Sequence, residues 1–227
     1  MATTPPILEA RSVHKTYGKG SGAYEALRGV DLAIAPGEAV AILGKSGSGK
    51  STLMHLLAGL DRPTTGTINY HGRSLAGLRE RDMANFRSQH VGFIFQQFFL
   101  QPTLSVLENV VLPLKIAGTG RRERNAKAAA ALEKVGLTEW ANHRATDLSG
   151  GQKQRAAIAR AIVSAPDIIF ADEPTGNLDS ETGRAVMKAL FDLQKSSGLT
   201  LIIVTHDPDV AKLCRRHVRI ADGRLAA

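Results

Sequence analysis

Cysteine and aromatic residues are scarce in this 227-residue sequence, and long apolar runs are missing. Because Cys214 is the only cysteine, an intramolecular disulfide is impossible, and nothing indicates an oxidising compartment. No apolar run reaches the roughly 18 residues that a membrane-spanning helix needs. The N-terminal segment, Met1 to Pro6, lacks the basic and apolar regions of a signal peptide. These absences predict a soluble protein of the cytoplasm.

Acidic residues are fewer than basic ones. The chain contains 29 lysines and arginines against 21 aspartates and glutamates, which gives a net charge of +8. Such a balance suits an anionic partner, and a nucleotide, a nucleic acid and an acidic lipid surface all remain open on charge alone. The length and the hydrophobic fraction of 43% are those of a globular protein with a sizeable core.

The most informative stretch runs from Gly44 to Ser51, between the apolar run 38–43 and a helical pattern. It fits G-x-x-x-x-G-K-[ST] in the strand–loop–helix setting of a phosphate-binding P-loop. Glycines let backbone N–H groups surround a phosphate chain, and the helix N-terminus attracts the same anion. In a P-loop, Lys50 lies against the β- and γ-phosphates and Ser51 ligates Mg²⁺. The alternative is a flexible Gly/Ser turn, which would need neither of these two residues. The predicted nucleotide-binding residues are Gly44, Lys45, Ser46, Gly47, Ser48, Gly49, Lys50, Ser51 and Thr52.

Hydrophobic periodicity predicts an α/β core with an inserted helical lobe. Near-continuous apolar runs at 168–171 and 201–204 are typical of parallel strands buried on both faces, and a helix at 181–196 joins them. From about 98 to 164 helical patterns replace strands. The remaining predicted strands are 7–13, 26–34, 67–70 and 91–95, and 218–224 is predicted as a strand followed by a turn. The remaining predicted helices are 79–88, 105–116, 121–136 and 150–164.

Two carboxylates, Asp172 and Glu173, follow the apolar run 168–171. Ligands of doubly wound sheets bind at the carboxyl ends of strands. Asp172 is predicted to hold Mg²⁺ through its water shell, because Mg²⁺ takes few carboxylates and keeps several waters. Glu173 is predicted to accept a proton from, or to polarise, the water that attacks the γ-phosphate. An acidic turn that caps the next helix is the alternative, which the P-loop in the same chain disfavours.

The run Leu-Ser-Gly-Gly-Gln at 148–152 stands at the start of a predicted helix. Ser149 can cap this helix, but capping does not explain two consecutive glycines, which cost about 1 kcal/mol each within a helix. Glycines at a helix N-terminus let the backbone approach a phosphate. Because the chain already has one phosphate loop, a second half-site suggests a composite site between two molecules.

The order of these motifs, followed by Ile-Val-Thr-His-Asp at 203–207, resembles the ATP-binding cassette (ABC) ATPases over nearly the whole chain. The resemblance implies one domain with a RecA-like P-loop NTPase core, at 1–97 and 165–227, that carries an antiparallel β subdomain. It also implies a helical lobe at about 98–164 that carries the 148–152 signature. A D-loop is implied at 176–179.

The same resemblance assigns further site residues. Tyr17 stacks on adenine, unless it is only a packed surface aromatic. Gln96, rather than the adjacent Gln97, reaches Mg²⁺ and the attacking water. His206, which out of context is an ordinary helix-start histidine, lies near the γ-phosphate. The implied catalytic set is Glu173, His206, Lys50 and Gln96; the metal set is Ser51, Gln96 and Asp172; and Ser149, Gly150, Gly151 and Gln152 contact the nucleotide from a second subunit.

Family resemblance further implies a head-to-tail homodimer that holds two ATPs, each between one subunit's P-loop and the other's signature. Hydrolysis removes the γ-phosphate bridge and lets the dimer open. Three segments, 91–96, 109–114 and 171–179, are similar to the MacB/LolD/FtsE group. Those ATPases drive permeases that extrude macrolides or peptides, release lipoproteins or regulate cell-wall hydrolases.

The partner that this resemblance implies is a separate transmembrane permease at the inner face of the cell membrane, because the chain stops at Ala227. The segment 97–106 either receives a coupling helix of that permease or packs within the helical lobe. A soluble ABC ATPase of DNA repair, chromosome or ribosome work is the competing hypothesis, which the charge of +8 favours slightly. Coiled coils, zinc modules and tandem cassettes typical of such proteins are not visible, so no nucleic acid is expected.

Overall fold

The computed structural model describes residues 5–226, which fall into two compact units. The first unit comprises 1–84 and 200–227, apart from the undescribed ends, and the second comprises 85–199. The helical lobe predicted from the sequence, at about 98–164, is shorter than the second unit, and the division into core and lobe stays a prediction. Residues 1–4, most of the N-terminal segment that lacks signal-peptide features, lie outside the described part of the chain.

The predicted elements are present, with shifts of a few residues at most ends, and the structure adds two short strands, Arg73–Ser74 and Arg224–Ala226, and a short helix, Pro208–Lys212. The strands within residues 5–226 are β1 (Leu8–Tyr17), β2 (Tyr24–Ile34), β3 (Ala39–Leu43), β4 (Thr65–Tyr70), β5 (Arg73–Ser74), β6 (Val91–Phe95), β7 (Ile168–Asp172), β8 (Thr200–Val204), β9 (Arg216–Ala221) and β10 (Arg224–Ala226). The α-helices are α1 (Lys50–Leu57), α2 (Glu80–His90), α3 (Val106–Ile116), α4 (Arg121–Lys134), α5 (Gly150–Ile162), α6 (Ser180–Ser197) and α7 (Pro208–Lys212). Among these described helices, none is both long and apolar enough to cross a bilayer.

The first unit contains an antiparallel sheet with the strand order β2-β1-β4-β5, as predicted for the β subdomain. Leu8, Ala10 and Val13 bury one face of β1. The strand continues beyond its predicted end at Val13 as far as Tyr17, which pairs with Tyr24 of β2. The alternation of buried and exposed side chains stops after Val13 while the backbone pairing continues, so periodicity alone misses this extension.

The other strands of the first unit lie in the order β10-β9-β3-β8. Strand β3 runs parallel to both β8 and β9. Strands β3 and β8 are buried along nearly their whole length, as their apolar runs predict. Because Ile42 pairs with Val204, the segments after β3 and β8 begin at the same edge of the sheet. This edge positions the P-loop and His206.

The second unit contains the parallel pair β6 and β7, with Phe95 opposite Asp172. Helix α5 packs directly on β6, since a Cβ on Gly92 would come within 2.5 Å of the carbonyl oxygen of Ala161. Between residues 98 and 164 the chain forms α3, α4 and α5 and no strand, as the sequence predicts. Because β6 and β7 are parallel and Phe95 lies opposite Asp172, the two strands end side by side. Gln96 and Glu173 are the residues that follow these two strand ends.

Candidate active site

The loop between β3 and α1 is tightly packed at both ends. Gly49 has a φ of 104°, which favours glycine, and a Cβ there would come within 2.7 Å of the carbonyl oxygen of Ala26. A Cβ on Gly44 would overlap the carbonyl oxygen of Ile220 and come within 2.6 Å of the Ser48 hydroxyl. A larger residue at either end would push the loop off strands β2 and β9.

Lys50 folds back onto this loop. Its Nζ atom donates hydrogen bonds to the carbonyl oxygens of Gly44 (2.9 Å) and Lys45 (2.8 Å). Helix α1 begins at Lys50, its N-cap Gly49 has no side chain to cap it, and its first N–H groups point toward the loop. The buried Ser48 hydroxyl has no hydrogen-bond partner among residues 5–226. A cation, helix N–H groups and an unpartnered hydroxyl around one loop fit an anion such as a phosphate chain.

Two more predicted residues lie in the first unit. His206 is exposed directly after β8, whose end is held to β3 by the Thr205 N–H donating to the carbonyl oxygen of Ile42 (3.3 Å). Tyr17, at the end of β1, is 40% exposed. Its hydroxyl interacts with the side chain of Thr52, two residues into the helix that follows the P-loop. Tyr17 therefore lies against the helix that follows the phosphate loop, and His206 follows the strand that pairs with β3.

In the second unit, Gln96 lies against the turn that follows β7. Its carbonyl oxygen accepts a hydrogen bond from the Asn177 Nδ2 atom at 2.9 Å. A Cβ on Gly176 would come within 2.7 Å of the Gln96 Nε2 atom. The Gln96 side chain therefore packs on the predicted D-loop. The structure brings Gln96, Asp172 and Glu173 together at one strand edge.

Glu173 has a backbone φ of 45°. A residue with a Cβ pays on the order of 1–3 kcal/mol for such a conformation, which concentrates at functional sites. The turn is closed by the Gly176 N–H, which donates to the Glu173 carbonyl oxygen at 3.0 Å. The backbone is thus bent sharply at the carboxylate that the sequence assigns to catalysis.

The signature segment forms a complete capping box at the start of α5. The Ser149 hydroxyl accepts from the Gln152 N–H (3.3 Å), and the Gln152 Oε1 atom accepts from the Ser149 N–H (2.8 Å). The capping interpretation of Ser149 is therefore confirmed. Gly151 also has a packing reason that the sequence does not reveal, because a Cβ there would overlap the Thr182 side chain of α6. Ser149 itself remains exposed.

Sequence reasoning missed Gln154, which is fully buried on α5. Its Nε2 atom donates to the carbonyl oxygens of Pro174 (2.7 Å) and Phe95 (3.5 Å). Within the described chain its Oε1 atom is buried and has no partner. Gln154 therefore joins the signature helix to the residues next to Glu173 and Gln96. A polar residue in helical register with the buried Ile158 and Ala161 is the only sequence signal for it.

Similarity to known proteins supports the interpretation of the P-loop and signature segment as parts of an ATP-binding cassette. The family model described as ABC transporter matches residues 27–176. The chain is 47% identical to the macrolide export ATP-binding/permease protein MacB of Marinobacter nauticus, over 97% of this chain and 34% of that protein. It is 43% identical to the lipoprotein-releasing system ATP-binding protein LolD of Geobacter metallireducens, over 97% of this chain and 98% of that protein.

Among solved structures, the chain is similar to the ATP-binding cassette MJ0796 as a post-hydrolysis dimer bound to ADP and Pi. The TM-score is 0.88 at 40% identity, over 97% of each chain. The chain spans about a third of the length of the MacB relative and nearly all of the LolD relative. With its P-loop, Asp-Glu pair and Leu-Ser-Gly-Gly-Gln signature in order, the chain belongs to the ABC transporter family and has the α/β P-loop fold of its ATP-binding cassettes.

Proposed function

We propose that this chain is the ATP-hydrolysing subunit of an ABC transporter. The observation that carries the proposal is the P-loop, in which Lys50 and the N-terminus of α1 surround a loop too closely packed for any residue but glycine at its ends. Residues 44–52 hold the phosphates of ATP. Lys50 exchanges its loop carbonyls for the β- and γ-phosphates, because a charge-assisted bond to phosphate is stronger than one to a neutral carbonyl.

Hydrolysis is assigned to Glu173, with Gln96 and His206 positioning water and the γ-phosphate. The carboxylate of Glu173 accepts a proton from the attacking water, which then displaces ADP from the γ-phosphorus. Gln96 packs on the same turn as Glu173, so the backbone after β7 positions both groups. Tyr17 stacks on adenine at the far end of the nucleotide.

Mg²⁺ is assigned to Ser51, Gln96 and Asp172. The structure describes no group of three or more His, Cys, Asp and Glu residues in residues 5–226 that suits a metal ion. A hydroxyl, an amide oxygen and one carboxylate are hard oxygen donors, and so small a protein set fits Mg²⁺, which retains several waters and phosphate oxygens. When bound, Mg²⁺ neutralises charge on the β- and γ-phosphates.

The active form is a homodimer with an ATP between the P-loop of one copy and residues 149–152 of the other. Ser149 is exposed at the start of α5. Its capping box occupies the N–H groups of Ser149 and Gln152, so an incoming γ-phosphate meets those of Gly150 and Gly151. The dimeric state of the MJ0796 cassette supports this arrangement.

Replacing Gln154 by methionine is expected to lower kcat for ATP about tenfold and to change KM less than twofold. The variant leaves the buried Pro174 carbonyl and the partly buried Phe95 carbonyl without their donor, which costs about 1–3 kcal/mol and releases the turn at Glu173. Steady-state kinetics measure both constants, and thermal unfolding checks the fold. The matched control is Gln194→Met on α6. A normal kcat in the Gln154→Met enzyme would show that Gln154 does not position the turn at Glu173.

A groove in the second unit is proposed to receive the permease. It has a volume of about 300 Å³. Phe99 at its edge is 60% exposed and has a φ of 46°. Arg160 holds this segment by donating to the carbonyl oxygens of Phe98 (2.8 Å) and Phe99 (2.6 Å), and burial lowers the pKa of Arg160. The lining residues are Ser88, Val91, Gly92, Phe93, Phe95, Phe99, Pro113, Arg160, Ala161 and Ser164.

Phe99→Asp is expected to abolish stimulation of ATPase activity by the permease and to leave the basal rate within about twofold. A carboxylate at the groove edge opposes burial of an apolar helix. The control is Ile116→Asp, at an 84% exposed apolar side chain that does not line the groove. Equal stimulation of both variants would place the docking surface elsewhere.

The cargo is proposed to be a macrolide or a lipoprotein, in line with the names of the MacB and LolD relatives. The location is then the inner face of the cell membrane, through the permease. The test is ATPase activity of the chain with its neighbouring-gene permease in lipid nanodiscs, with and without each cargo. Stimulation by the permease supports transport. Stimulation by DNA that weakens with salt, without a permease effect, would overturn it.

A further inference from the structure

One carboxylate, that of Asp61, connects two side chains of strand β1. The Lys15 Nζ atom donates to Asp61 Oδ1 at 2.7 Å and to the carbonyl oxygen of Arg62 at 2.8 Å. The Tyr17 hydroxyl donates to Asp61 Oδ2 at 2.9 Å. Burial raises the pKa of Asp61, but the bonds from Lys15, Arg62 and Tyr17 outweigh it and hold this pKa below its ordinary value. The carboxylate therefore stays ionised and keeps both donors.

Lys15 also covers one face of the Tyr17 ring. Its Nζ atom lies over the ring, 4.8 Å from the centroid, and its side chain is only 12% exposed. An ammonium at this place is attracted by the π electrons of the ring. With one face covered by the ammonium and 40% of the residue still exposed, part of the ring stays open to a ligand.

The ring cannot rotate away without losing several contacts at once. Rotation breaks the hydroxyl bond to Asp61, the interaction with Thr52 and the contact with Lys15. Two hydroxyl contacts and a cation over the ring each add only modestly to stability at the exposed end of a strand. Fixing the ring does remove the entropy cost of ordering it when a ligand stacks on its open face.

We propose that Lys15 and Asp61 are positioning residues for the nucleotide base: they fix the Tyr17 ring so that its open face receives the base of ATP beside the P-loop. This inference rests on the proposed ATP-binding function. It adds two residues, 46 positions apart in the chain, that touch neither the phosphates nor the reacting atoms. Their effect is therefore on affinity for the base and not on the chemical step.

The test compares ATP with inorganic tripolyphosphate, which has the phosphates and no base. Lys15→Met and Asp61→Asn are each expected to weaken ATP binding about fivefold to tenfold and tripolyphosphate binding less than twofold. KM for ATP rises by the same factor while kcat stays within twofold. Tyr17→Phe keeps the ring and the covering ammonium, so we expect a smaller loss than with Tyr17→Ala.

The matched controls are Lys188→Met and Asp192→Asn, which break another lysine–aspartate pair of the same length, 2.7 Å, on α6. Both are expected to bind ATP and tripolyphosphate as the unmodified protein does. Equal weakening of both ligands in the Lys15 and Asp61 variants would mean general damage to the loop and would overturn the inference, as would unchanged ATP affinity. If the unmodified protein bound neither ligand, the proposed ATPase function itself would fail.

Discussion

Glu173→Gln is expected to lower ATP turnover by about 100-fold or more and to leave ATP affinity nearly unchanged. An amide has the size of the carboxylate but cannot accept the proton of the attacking water. Binding persists because the phosphates are held by the P-loop, whose loop carbonyls and Lys50 the substitution does not touch. Single-turnover measurements with radiolabelled ATP, together with calorimetric titration, separate the two effects.

The Glu173→Gln substitution should leave the backbone conformation at this position unchanged. Glu173 already adopts a φ of 45°, and glutamine meets the same strain, so the turn to Gly176 is kept. The control is Glu181→Gln, an exposed carboxylate in the first turn of α6, which is expected to retain full turnover. Rapid hydrolysis by the Glu173 variant would move the general base to another residue.

Lys50→Ala is expected to raise the Kd for ATP by about 100-fold or more. The ammonium makes charge-assisted bonds to two phosphates, each contributing about 1.5–3 kcal/mol, and alanine makes none. Because Lys50 donates to two neutral loop carbonyls, whose loss costs little, the thermal midpoint without ATP should shift by only a few degrees. The stabilisation that ATP gives to the unmodified protein should be lost.

Calorimetric titration with ATP measures this effect directly. The matched control is Lys127→Ala on α4, which removes a surface lysine paired with Glu123 at 2.7 Å. That variant is expected to bind ATP normally, since surface ion pairs of this kind contribute about 0–1 kcal/mol. Wild-type affinity in the Lys50 variant would show that the loop does not bind the phosphates.

Features that depend on local pattern were predictable from the sequence. The apolar runs predict β3, β7 and β8 to within a residue or two, because strands buried on both faces need apolar side chains throughout. The glycine pattern likewise predicts the P-loop, because at Gly44 and Gly49 the packing leaves no room for a Cβ and only glycine fits.

Features that depend on tertiary contacts were not predictable. The Lys15–Asp61 pair joins residues 46 positions apart. Gln154 donates to the carbonyl oxygens of Phe95, at the end of β6, and of Pro174, which follows β7. The left-handed backbone at Glu173 has no sequence signal either, because glutamate gives no local preference for it. Gly151 shows the converse: its conspicuous place in a motif suggested a phosphate contact, whereas part of its reason is the Thr182 side chain packed against it.

The idea that two copies enclose the same nucleotide is tested most directly by the mass of the Glu173→Gln protein in solution. Sedimentation equilibrium in saturating Mg·ATP should give twice the mass of one chain with one ATP bound per chain, and the mass of a single chain in Mg·ADP. Adding Ser149→Arg, which fills the exposed start of α5, should return the ATP-bound protein to the mass of one chain. A Glu173→Gln protein that binds ATP fully and still sediments as a single chain would contradict the shared site.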